Sequence, residues 1–80
     1  MKIKVSNTQR AMNFKTHVGT IITIAEQKAK IGIDKFKYPI PNDIGCHYLD
    51  IINAVESKTE DTVYGYDFVK DGMMIFRIKD

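Results

Sequence analysis

The sequence predicts an α+β domain, a two-layer sandwich whose small antiparallel sheet is covered on one face by two helices. Three observations predict it. Apolar residues recur at three- and four-residue spacing over two long stretches, as on the buried face of a helix. Short runs at both ends of the chain alternate polar and apolar residues, as half-buried strands do. A glycine-bearing turn joins two such runs near the C-terminus, the signature of a hairpin. At 80 residues, 44% of them apolar, the chain supports one core and one domain, residues 1–80. A domain of this size buries roughly 60% of the surface its unfolded chain exposes, so its stability margin is thin.

The elements follow in order β-α-(β)-α-β-β. Residues 2–6 alternate Lys2, Ile3, Lys4, Val5 and Ser6, a strand with one face buried. From Thr8 to Ile31 the spacing is helical: Ala11, Phe14, Val18, Ile22, Ala25 and Ala29 fall within about 80° of arc, and Gly32 is a left-handed stop. The β-branched run 20–24 favours strand by composition but does not alternate, so the helix stands. Residues 34–40 alternate, and Pro39 and Pro41 deny ladder donors, giving an edge strand or an ordered loop. Asn42 or Asp43 starts a second helix running to about Ser57, with Ile44, Tyr48, Ile51, Ile52 and Val55 on its face. A polar connection, 57–61, leads to the hairpin. There Tyr64, Tyr66 and Phe68 alternate on one strand and Met74, Phe76 and Ile78 on the next, around the turn Val69-Lys70-Asp71-Gly72. The aromatic side chains are expected in the core. The N-terminal strand is expected to pair with the hairpin, beside the last strand.

Charge is unevenly placed. The formal net charge is +2, but residues 1–40 hold eight bases against two acids (8 − 2 = +6) and residues 41–80 hold four against eight (4 − 8 = −4). No apolar core of a signal peptide opens the chain. The longest nearly apolar run, Val18 to Ala25, is far short of the roughly 20 residues that span a bilayer. The single cysteine, Cys46, excludes an internal disulfide, which a small extracellular domain usually needs. The expected setting is therefore cytoplasmic, with no membrane partner.

Few residues suggest chemistry. Cys46, His47 and Asp50 are the one set with catalytic residue types, but consecutive Cys46 and His47 lie about 100° apart on a helix, and an acid beside a thiol raises its pKa rather than activating it. His17, His47 and Cys46 do not have the spacing of a zinc module. The five glycines are scattered, and none forms a phosphate-cradling loop. No catalytic residue, metal or cofactor is expected.

Binding features are more numerous. On the first helix Arg10, His17 and Lys28 lie within about 20° of one another, a stripe roughly 27 Å long with Ile24 beside it as an apolar anchor. Lys30 follows, then Lys35 and Lys37 on one side of the extended segment, with Phe36 and Tyr38 on the other. Ile31 is expected to turn inward at the helix end, and Leu49 to pack on a neighbouring loop. The hairpin face opposite the aromatic one, with Val63, Gly65, Asp67, Val69, Met73, Ile75 and Arg77, is less polar than a free solvent face. Val63, Ile75 and Arg77 are thus expected to contact a partner or a second copy of the chain.

The element order and late hairpin are loosely similar to the small ribonuclease toxins of the RelE/ParE class. Those use a basic, arginine-rich cleft near the C-terminal strands, where this chain has Arg77 alone in a net acidic half, so no residue role carries over. In size and lysine- and isoleucine-rich composition the chain is similar in kind to small phage or mobile-element proteins that bind host factors. The expected function is a small non-enzymatic interaction protein, an inhibitor or regulator acting by binding another protein. The alternative is a nucleic-acid-binding module that uses Arg10, Lys28, Lys30, Lys35 and Lys37.

Overall fold

The structure, a computed structural model, describes residues 7–79, with side chains described at all of these except 67–70. Its elements are α1 (Asn7–Lys30), β1 (Lys35–Pro39), α2 (Tyr48–Lys58), β2 (Val63–Lys70) and β3 (Met73–Ile78). The three strands form one antiparallel sheet in the order β1-β3-β2. The fold is the expected α+β sandwich, with both helices on one side of the sheet. The expected strand 2–6 lies outside the described residues. The place beside β3 goes instead to β1, and β2 occupies its other flank.

Helix α1 absorbs its β-branched stretch because the threonine hydroxyls find partners within the helix. Thr16, Thr20 and Thr23 donate to the carbonyls of Met12, Thr16 and Gly19, at 2.8–3.0 Å, the back-bonding that lets threonine sit inside a helix. Its buried residues are Val18, Ile21 and Ala25. Ala11 and Ala29, at the ends of the expected stripe, are exposed, because the core takes up only the middle of the helix. Gly32 adopts φ +77°, while the N–H groups of Ile31 and Ile33 both donate to the Lys28 carbonyl. This C-terminal turn sends Ile31 outward, 67% exposed, not inward as expected.

The second helix starts later than the sequence suggests. Gly45 takes a left-handed φ of +68° and His47 is extended (φ −74°, ψ 147°), so residues 42–47 cannot join a helical turn. His47 caps α2, its Nδ1 accepting from the Leu49 N–H at 3.2 Å. Ile44 still reaches the core, but from the loop.

At the far end of α2, Thr59 ties the helix to the sheet. Its hydroxyl donates to the Val55 carbonyl at 2.7 Å and accepts from the Val63 N–H at 3.2 Å. This tight link fixes which way β2 enters the sheet. Val63 is buried and belongs to the core cluster, and Gly65 faces α2 so closely that an added Cβ would meet three Ile52 carbons at 2.7–2.9 Å. Glycine is required there for the helix to approach the strand.

The register confirms the assignment of faces. Val63 pairs with Ile78 and Gly65 with Phe76, while Tyr64 pairs with the exposed Arg77. Side chains opposite one another in a ladder share a face. The inner face thus carries Phe36, Val63, Met74, Phe76 and Ile78, with Phe36 stacked on Phe76 at 5.4 Å. Two expectations are corrected here: Val63 is core, and Tyr64 and Tyr66 stand on the opposite face. Further along, β2 takes four residue steps from Gly65 to Val69 against two on β3 from Phe76 to Met74. The strands then close through a two-residue turn, Asp71 (φ 57°) and Gly72 (φ 70°), of the mirror-image type that fits strand twist.

Candidate functional site

Correcting the β2 faces builds a surface that the linear sequence hides. On the sheet's outer face β1 contributes Lys35 and Lys37, β3 contributes Met73, Ile75 and Arg77, and β2 contributes Tyr64 and Tyr66. Lys35 pairs in register with Arg77 and Lys37 with Ile75. Strand geometry sets Lys35 and Lys37 roughly 6–7 Å apart. Ile75, 9% exposed, lies in the middle of the face but outside the core cluster on the other side. Both tyrosines are half-buried, whereas Lys35, Lys37 and Arg77 are exposed.

The polar groups are organised. Tyr64 and Tyr66 meet edge to face, with ring centroids 6.2 Å apart and planes at 89°. The Tyr66 hydroxyl bonds the Arg77 guanidinium and, with lesser effects from both tyrosines and Asp34, pushes its pKa up from the ordinary value. Arg77, always a cation, stands beside two rings. At that end of the face an open cleft of about 540 Å³ is lined by Asp34, Glu56, Asp61, Tyr64, Arg77 and Lys79. The face thus has a cationic side along β1, an aromatic side along β2, and carboxylates across one end.

The expected helical stripe does not form such a surface. His17 turns to the core-side loop: its Nδ1 meets the Tyr38 hydroxyl at 2.7 Å and its Nε2 meets the Asp43 carboxylate at 3.1 Å. The neutral tautomer protonated at Nε2 satisfies both contacts, and Asn13 adds a bond to the Asp43 carbonyl. Burial first, and the Asp43 charge second, push the Tyr38 hydroxyl pKa up. His17 therefore pins residues 38–43 to α1. Arg10 is half-buried and lies over Gly45, where a Cβ would meet its Cδ at 2.7 Å. Ile24 is half-buried against the core, Lys28 is half-buried, and Lys30 is exposed at the end of α1. Leu49 also packs against the core. Of the expected contact residues, the structure unites Lys35, Lys37, Ile75 and Arg77, and separates them from Val63.

The cysteine set has no activated nucleophile. Cys46 precedes α2 and is exposed. Its thiol is pushed up by partial burial first, then by the charge and hydrogen bond of Asp50. The adjacent His47 uses Nδ1 as the α2 cap. Among the described residues, no group of three His, Cys, Asp or Glu side chains could hold a metal ion. No described helix is long and apolar enough to cross a membrane.

Sequence reasoning missed Tyr64 and Tyr66 by assigning them to the core. The available signal was Gly65 between them. A glycine inside a strand marks close approach of another element, and the residues on either side of it point the other way. Compared with protein-family models, with curated proteins and with solved structures, the chain shows no match.

Proposed function

We propose that this chain is a small non-enzymatic interaction protein whose contact surface is the outer face of its sheet. One observation carries the reading: that face gathers Tyr64, Tyr66 and Arg77 around the apolar Ile75, with Lys35 and Lys37 at its border. Binding surfaces concentrate their energy in aromatic and arginine anchors near the centre and keep mobile charges at the rim. The two partner classes expected from the sequence, a protein and a nucleic acid, would both use this surface.

Affinity capture from a cell lysate tests the reading. Wild-type protein is compared with Tyr66→Ala and Lys37→Glu variants, and bound protein and bound nucleic acid are both quantified. The expected result is a stoichiometric partner retained by the wild type and lost with both variants. Equal recovery by all three proteins would refute the assignment of this face.

A further inference from the structure

We infer, building on the assignment of the sheet face as the contact surface, that its occupant is a single-stranded nucleic acid. Lys35 and Lys37 on β1 and Arg77 on the central strand share one face, and the described carboxylates near it, Asp34, Glu56 and Asp61, are gathered at the cleft at one end. The one contact within 4 Å between a basic and an acidic side chain among the described residues is His17–Asp43, on the other side of the sheet, so neither lysine pairs with a described carboxylate. Three cations at strand spacing, about 5–7 Å apart, match a chain of regularly spaced anions better than a single carboxylate.

The rings then choose among polyanions. Tyr64 and Tyr66 lie across β3 from the lysines, on the side toward which bases would extend from a phosphate backbone lying over β1. Because the two rings meet edge to face, the contact takes up one face of one ring only, and the rings do not stack flat on one another. Base–aromatic stacking is indifferent to base identity and requires unpaired bases. A duplex keeps its bases paired and stacked, and so offers none. The carboxylates of Asp34, Glu56 and Asp61 at the cleft repel phosphate at that end and so limit the track to a few nucleotides. An acidic protein would satisfy the cations, but it has no need of a ring platform next to them.

Fluorescence anisotropy with the intact chain tests this, using fluorescein-labelled ten-nucleotide oligo-dT and oligo-U and a duplex of equal length. Both single strands are expected to bind at low salt, the duplex more weakly. With three phosphates neutralised, the logarithm of affinity should fall against the logarithm of salt with a slope of about −2. Tyr66→Ala should weaken binding by about tenfold and Tyr66→Phe by much less, because the phenylalanine ring still stacks. Lys37→Glu should weaken binding and flatten the salt slope. Circular dichroism spectra matching the wild type would show that the variants fold. The inference is overturned by absence of binding at low salt, by tighter binding of the duplex, or by affinity unchanged in Tyr66→Ala. If no oligonucleotide binds while lysate capture yields a protein that both face variants lose, the surface assignment stands and this occupant is wrong. If both experiments fail, the surface assignment falls as well.

Discussion

The two faces of the sheet come from the same three strands and the same alternation, yet they do opposite work. The inner face is closed: Met74 and Phe76 have no exposed surface, and Phe36 stacks on Phe76 beneath both helices. The outer face is amphipathic, its rings and cations arranged around one buried isoleucine. A single strand supplies both, since Phe76 and Arg77 are neighbours in β3. The core and the proposed contact face thereby draw on alternate residues, and substitutions can separate them.

The largest expected effect tests that separation directly. Phe76→Ala should cost about 3–5 kcal/mol, the usual range for emptying a fully buried aromatic site, a large fraction of the stability of so small a domain. Tyr66→Ala on the outer face should cost no more than about 1 kcal/mol. Urea denaturation monitored by circular dichroism compares the two, and equal losses would dissolve the distinction between the faces.

Next comes the boundary between them. Gly65→Ala places a methyl group against Ile52 and should cost about 1–3 kcal/mol by overpacking, read from the same denaturation curves. Ile52→Val in the Gly65→Ala background should recover part of the loss. No recovery would mean that α2 does not press on β2 at this point.

A smaller effect is expected at the polar clamp. His17→Ala removes the contacts to Tyr38 and Asp43 and should cost about 1–2 kcal/mol. Lys35→Gln and Lys37→Gln, exposed on the outer face, should stay within about 0.5 kcal/mol of wild type. A lysine substitution as damaging as the histidine one would mean that the outer face also holds the fold together.

The smallest effect is electrostatic. The Cys46 thiol is pushed up in the folded chain by partial burial and by Asp50, so folding favours its protonated form. Any resulting contribution to stability is fully present below the unfolded-state pKa and is lost as pH rises through the higher folded-state value. Iodoacetamide alkylation followed against pH should show a midpoint above that of an unstructured cysteine peptide, and Asp50→Asn should lower it.

Much of the fold was legible in local pattern. The spacing of Val18, Ile22 and Ala25 marked α1, Gly32 marked its end, and the turn at Asp71-Gly72 marked the hairpin, because each depends on residues close in sequence. The start of α2 was not legible. Ile44 has the spacing of a helical residue, but it reaches the core from a loop that Gly45 and His47 turn aside. Of the candidate surface, Lys35, Lys37 and Arg77 could be read as outward-facing. The tyrosines were misread, since a run of Val-Tyr-Gly-Tyr alternates in either orientation and Gly65 alone hints at the side that another element approaches.

The sequence by itself determined the element types, the hairpin and the outward face of β1, because periodicity and turn chemistry are local. Only the tertiary structure decided which side of β2 is buried. That choice depends on the Thr59–Val63 link and on α2 lying against Gly65, contacts made between elements. By turning Val63 inward it turned Tyr64 and Tyr66 outward, and so put rings from the acidic half of the chain on the same face as lysines from the basic half, across β3 from them.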